Sequence, residues 1–227
     1  MWREIFSILK SPGLMSAAMN EAVDMLVKDS NMFNIAYETL RKKDNETLDF
    51  DIYDEDRKVN KLERDIRRKV LTHLTIYPAD ITSGLILISI IIDIERIGDY
   101  TKNIVELAVS HPARLYAKEI ETDLQYIEQT IQKMFDNVIS SMRNSDNELA
   151  KASMKKHSLA KECDQLLNRL IKNDQIIFSK GQAVIIALYV RYLKRIACHL
   201  INIATSMVNP FDRIGFSPKD KNTQILK

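Results

Sequence analysis

The chain has 227 residues, 45% of them apolar, which is enough to fill one large core or two small ones. Its 33 basic and 31 acidic residues net +2, so no global field marks it for nucleic acid or for an anionic membrane. Five Gly and five Pro leave few turns, which argues against a meander of short strands and for long helices.

The start, MWREIFSILK, carries Arg3 and Glu4 early and lacks the long apolar stretch of a signal peptide. Trp2, Ile5 and Phe6 make a short apolar face suited to a homodimer contact. From Leu14 to about Lys42, Leu14, Ala18, Ala22, Met25, Met32, Ala36 and Leu40 recur at threes, fours or their sum, which predicts a long helix after Ser11-Pro12-Gly13. A second stripe through Ile52, Val59, Ile66 and His73 predicts helix two, with His73 a satisfied core histidine. The basic cluster Arg64, Arg67, Arg68 and Lys69 forms its solvated face.

Tyr77-Pro78 breaks the chain, and helix three runs to Ser110 before His111-Pro112. Its apolar run Leu85 to Ile92 is far shorter than the roughly 20 residues that span a bilayer, so no membrane insertion is expected. Ile120, Leu124, Ile127, Ile131, Met134 and Val138 give helix four the alternating spacing of a bundle seam. Ser145-Asp146-Asn147-Glu148 reads as a capping box, Ser145 and Glu148 serving the free donors of helix five. That helix continues through Leu149, Ala152, Leu159, Cys163, Leu166 and Leu170 to Asn173-Asp174. Helix six fills Gly181 to Val208. Nine methionines serve as gap fillers along the seams, and two cysteines form no disulfide framework, which points to a reducing cytoplasm.

The helices form two sets of three. "IERIGDYTKNI" (94–104) recurs as "LKRIACHLINI" (193–203), 99 positions on, and Val59-Asn60-Lys61-Leu62 corresponds to Cys163-Asp164-Gln165-Leu166, 104 positions on. The expected fold is all-α, two tandem antiparallel three-helix bundles over residues 1–112 and 113–210, with a polar, loosely held tail over 211–227.

In the first repeat, Glu95 and Asp99 are four apart and share one side of a helix, with Asn103 a turn further; Asp56 and Asn60 repeat the spacing on helix two. If partly buried, two such charges ~4 Å apart repel by about 4 kcal/mol at an effective dielectric of about 20, so the rows call for a cation. Their oxygen donors suit Mg²⁺, Ca²⁺ or Mn²⁺, with iron and Zn²⁺ also within range of a carboxylate-rich site. A wet helix face balanced by Arg96 or Lys102 is the other reading. Gly98, which costs a helix about 1 kcal/mol relative to Ala, favours a close approach there.

"DRKVNKLERDI" (56–66) followed by "DIERIGDYTKNI" (93–104) resembles the PhoU family of phosphate-signalling regulators, and the repeated three helices match its six-helix fold over about residues 14–208. The resemblance implies a cytoplasmic regulator of phosphate uptake without a catalytic role, placed at the inner face of the membrane by a phosphate transporter component and working with a sensor histidine kinase. It also implies a divalent or trivalent metal held through acidic motifs, onto which Glu95, Asp99, Asp56 and Asn60 fall, with Asn103 as an additional donor. Asp80-Ile81 stands where the family often has Asp-Leu-Arg, Thr82 replacing the arginine.

The second repeat departs from that pattern. Ala160, Lys194 and Cys198 stand in place of acids and only Asp164 remains, so its site is degenerate, with the Lys194 ammonium available to Asp164. Cys163, Cys198 and His199 with Asp164 could make a soft metal site, against which stands the plainer reading of buried thiols and a histidine at a surface edge. A dimetal carboxylate enzyme needs Glu-x-x-His pairs, and none of the four histidines has a Glu three residues before it. A purely structural helical partner protein without metal is the third alternative.

Overall fold

The computed structural model describes residues 13–44, 51–111, 113–155, 158–172 and 178–216. The apolar face around Trp2, the Asn173-Asp174 break and the tail beyond residue 216 lie outside them. Helix α1 spans Leu14–Lys42 and buries Ala18, Ala22, Met25, Met32, Ala36 and Leu40, the stripe expected from its spacing. Helix α2, Ile52–Ile76, starts at Asp51, whose carboxylate accepts from the amides of Tyr53 (2.9 Å) and Asp54 (3.0 Å); Asp54 and Glu55 in the first turn complement the helix dipole. A 3₁₀ turn at Pro78–Asp80 leads into α3, Ile81–Ser110. His73 is buried at the end of α2 with its Nε2 2.7 Å from Asp80 Oδ2, the satisfied core position expected for it.

A second 3₁₀ turn, Lys118–Ile120, opens α4, Glu121–Asn144, which buries Leu124, Ile127, Ile131, Met134 and Val138. Each such side chain contributes roughly 1.5–3 kcal/mol when withdrawn from water. The fifth predicted helix is described as α5, Asn147–Met154, and α6, Ser158–Lys172. Its cap differs from the expectation. Ser145 adopts the left-handed conformation (φ 60°) that terminates α4, so it cannot also start α5; Asp146, one residue on, accepts from the amides of Glu148 and Leu149. A capping box does exist at the start of α7, Lys180–Val208, where Ser179 and Gln182 serve one another.

The units α1–α3 and α4–α7, the second with its middle helix described as α5 and α6, close on each other through like elements. Along α1 and α4, Phe33 meets Phe135 (ring centroids 5.4 Å) while Arg41 reaches back to Glu128. Along α3 and α7, Asp93 meets His199 and Asn202 while Tyr100 meets Tyr192. In both seams advancing along one helix means retreating along its mate, as expected when two copies of a repeat face each other about a local twofold. Every methionine among the described residues is buried. Part of the expected loose tail is fastened: Phe211–Arg213 forms a 3₁₀ turn, Asn209 donates to the carbonyls of Arg213 and Phe216, and the Gly215 amide donates to Thr205.

Candidate metal centre

The three helices of the first unit bring four carboxylates together. Asp56 on α2 and Glu95 and Asp99 on α3 stand at the edge of the core, their side chains 16%, 19% and 30% exposed. The fourth is Asp29 of α1, fully buried, whose two carboxylate oxygens have no hydrogen-bond partner. Its Oδ1 lies 3.0 Å from where a Cβ on Gly98 would sit, and Val59 of α2 flanks the same point. Gly98 therefore lets α3 approach α1 closely enough to admit a carboxylate between the helices. Burial drives the Asp29 carboxyl well above the usual carboxylate range, reinforced by Glu95, Asp56 and Asp99. Burial also raises Glu95, with Asp99 next, while Arg96 opposes the shift.

Among the described residues, basic side chains offset part of this charge, Lys28 acting on Asp29 from α1. Lys102 Nζ donates to Asp56 Oδ1 (3.0 Å) and Asp99 Oδ1 (3.1 Å), tying α3 to α2. Arg96 donates to Asp99 Oδ2 at 3.2 Å, with its Nε 3.6 Å from Glu95 Oε2. Asn60 donates to Asp56 Oδ2 at 3.3 Å, and Asn103 lies half-buried one turn beyond Asp99 without joining these bonds. Among the described residues, no three His, Cys, Asp or Glu side chains are already set around one point as ligands. The donor chemistry nonetheless fits a hard cation: the clustered carboxylates offer oxygen, and the deepest of them is orphaned in the core.

Sequence reasoning missed Asp29, although it left a trace. The α1 stripe steps by seven from Met25 to Met32, and position 29 fills that gap. A carboxylate at a core register with apolar residues before and after it was the signal. Also missed was a buried cluster at the seam between the units. Arg41 of α1 donates to Glu128 (2.7 Å) and Glu121 (2.5 Å) of α4 and to the Leu115 carbonyl, and Tyr189 of α7 donates to Glu128 at 2.9 Å.

In the second unit, Lys194 donates to both oxygens of Asp164 at 2.6 Å, Ala160 is half-buried, and Cys198 lies half-buried where Asp99 stands in the first. The soft-metal grouping does not assemble. Asp164 is taken by Lys194, and His199 turns away from the thiols to pair with Asp93 at 2.7 Å and stack on Tyr100 (5.8 Å). His199 thus belongs to the seam between units rather than to a surface edge, its side chain only 18% exposed. Cys163 is buried, which pushes its thiol up to about 12.

The sequence profile of the PhoU domain matches residues 22–108, from Ala22 in α1 to Ala108 in α3. Over these residues the amino-terminal unit is similar to the PhoU domain. All four clustered carboxylates fall within that match, whereas the unit that has lost its acids lies beyond it. The whole fold is similar to the crystal structure of PhoU from Pseudomonas aeruginosa, with a TM-score of 0.71 at 20% identity over 86% of this chain and 95% of that one. No curated protein matches the sequence. Among the described residues no helix is long and apolar enough to cross a membrane.

Proposed function

We propose that this protein is a cytoplasmic regulator of phosphate uptake and signalling. In this reading it acts as a helical adaptor whose PhoU domain holds a metal cation and whose partners are a phosphate transporter component and a sensor histidine kinase. The observation that carries the cation part is Asp29, a partnerless carboxylate buried behind Asp56, Glu95 and Asp99. Leaving a charged group unpaired in a core costs several kcal/mol unless it is compensated, and a bound divalent ion would add two positive charges to the clustered acids. Asp29, Asp56, Glu95 and Asp99 would hold it, with Asn60 and Asn103 as neutral oxygen donors at the rim.

The ion would supply charge and cross-bracing among α1, α2 and α3, not reaction chemistry; the role is regulatory rather than catalytic. The second unit keeps the same three-helix frame, with Lys194 satisfying Asp164 internally, and serves as scaffold. A metal-free structural adaptor is the alternative, favoured by Lys102, which already bridges two of the acids.

Two measurements test the proposal. Metal content of protein purified without chelator should exceed that of Glu95→Ala/Asp99→Ala, and the wild type should co-purify with a phosphate transporter component. Equal metal content would remove the cation site. A lack of co-purification would remove the adaptor role.

A further inference from the structure

Lys102 occupies a position that the carboxylates alone do not explain. It lies outside the Glu95/Asp99 pair, three residues past Asp99, yet its ammonium bridges Asp99 to Asp56 across two helices. Its counterpart in the second unit is Ile201, which is buried and apolar. The two units therefore neutralise their sites differently: Lys194 sits in a motif position and holds Asp164, whereas Lys102 reaches in from the rim.

We infer that Lys102 is the resident counter-ion of the acidic pocket and that a divalent cation enters by displacing its ammonium, so that cation binding is gated by this lysine. The inference rests on the cation reading above. Lys102 bonds two of the four carboxylates and Arg96 pairs with Glu95 and Asp99, yet the Asp29 oxygens keep no partner, so four acids face two cations and the cluster is under-compensated while Lys102 occupies it. A divalent ion brings twice the charge and takes six to eight oxygen ligands in the case of Ca²⁺. Departure is easy, because the Lys102 side chain is 20% exposed and approaches from the edge.

A landing place is built in one turn along α3. Glu106 follows Lys102 by four residues, on the same helix face, and its carboxylate already accepts from Tyr53 of α2 at 3.0 Å. Displacement would thus break the Lys102 link to Asp56 and move a positive charge from the pocket to the exposed Tyr53–Glu106 pair. The charged groups against Lys102 are Asp56 on α2 and Asp99 on α3, with Glu106 beside the same Tyr53 that Lys102 approaches; Lys28 of α1 is held by Glu55 at 3.2 Å.

The test is Mn²⁺ titration of the chelator-stripped full chain, comparing wild type with Lys102→Met and Lys102→Gln, each checked for a native thermal transition. Both neutral variants should bind Mn²⁺ about tenfold tighter than wild type, since a like charge has been removed from the binding point. Glu95→Gln/Asp99→Asn should abolish binding in either background. Equal or weaker binding by both lysine variants, with wild type still binding, overturns the gating role and leaves the cation reading intact. Absence of binding in wild type and both lysine variants overturns the cation reading and the gate with it.

Discussion

Gly98 on α3 presses against Asp29 on α1 so closely that a methyl group there would stand 3.0 Å from the carboxylate oxygen. Alanine would favour the helix by about 1 kcal/mol, so the glycine serves the approach and not the helix. Gly98→Ala should fold with stability within about 1 kcal/mol of wild type, the propensity gain offset by the crowding of Asp29. Its Mn²⁺ affinity should fall about tenfold, because the deepest donor is displaced by a few tenths of an ångström. Calorimetric titration checks this; unchanged affinity would mean that the helix approach does not position the donor.

Asp29 itself should oppose folding when no cation is present. With chelator, Asp29→Asn is expected to be about 1–3 kcal/mol more stable than wild type in urea unfolding at neutral pH, since wild type must take up a proton or bury an unpaired charge on folding and the amide does neither. With Mn²⁺ in excess the order should reverse, because ligand that binds only the folded state stabilises it by mass action and the variant lacks the deepest ligand. A variant less stable than wild type under chelator would show that the carboxylate has a structural partner.

The seam cluster behaves differently. Arg41→Met leaves Glu128, 1% exposed, without its guanidinium, and should cost about 3–5 kcal/mol. Arg41→Met/Glu128→Met should recover much of that loss. Denaturant melts of the two variants decide whether Arg41 is the clamp between the units; additive losses would argue against it.

Cysteine chemistry gives a pH test. Cys163 is buried with its thiol pushed up to about 12, and burial raises the half-buried Cys198 thiol as well. Both shifts favour the neutral thiol, so the reactive thiolate is scarce below the raised values. In native protein at about pH 8, Cys163 should resist alkylation by iodoacetamide and Cys198 should react slowly, with rates climbing as pH rises. Both should react at ordinary rates in denaturant. Rapid native labelling of Cys163, followed by mass spectrometry, would contradict the packing of α6 on α7.

The frame was legible because long helices with few Gly and Pro write their buried faces directly into spacing. Apart from Leu14, which is exposed, the stripe to Leu40 and the stripe from Ile120 to Val138 are buried as read. Cap chemistry was less legible: Ser145 and Asp146 both suit an N-cap, and only the left-handed turn at Ser145 shows which residue is free to serve. Motif spacing located Asp56, Glu95 and Asp99 but not Asp29, since a lone acid in a stripe of methionines carries no spacing partner. The partner of Asp93 could not be read at all, because His199 and Asn202 lie more than a hundred residues away.

The central claim is that one unit accepts a cation and the other carries its own. Anomalous diffraction at the manganese edge from crystals soaked in Mn²⁺ measures this directly. The account predicts a single peak per chain, among Asp29, Asp56, Glu95 and Asp99, and none beside Lys194 and Asp164. A peak at Asp164, or none in the first unit at saturating Mn²⁺, would contradict it.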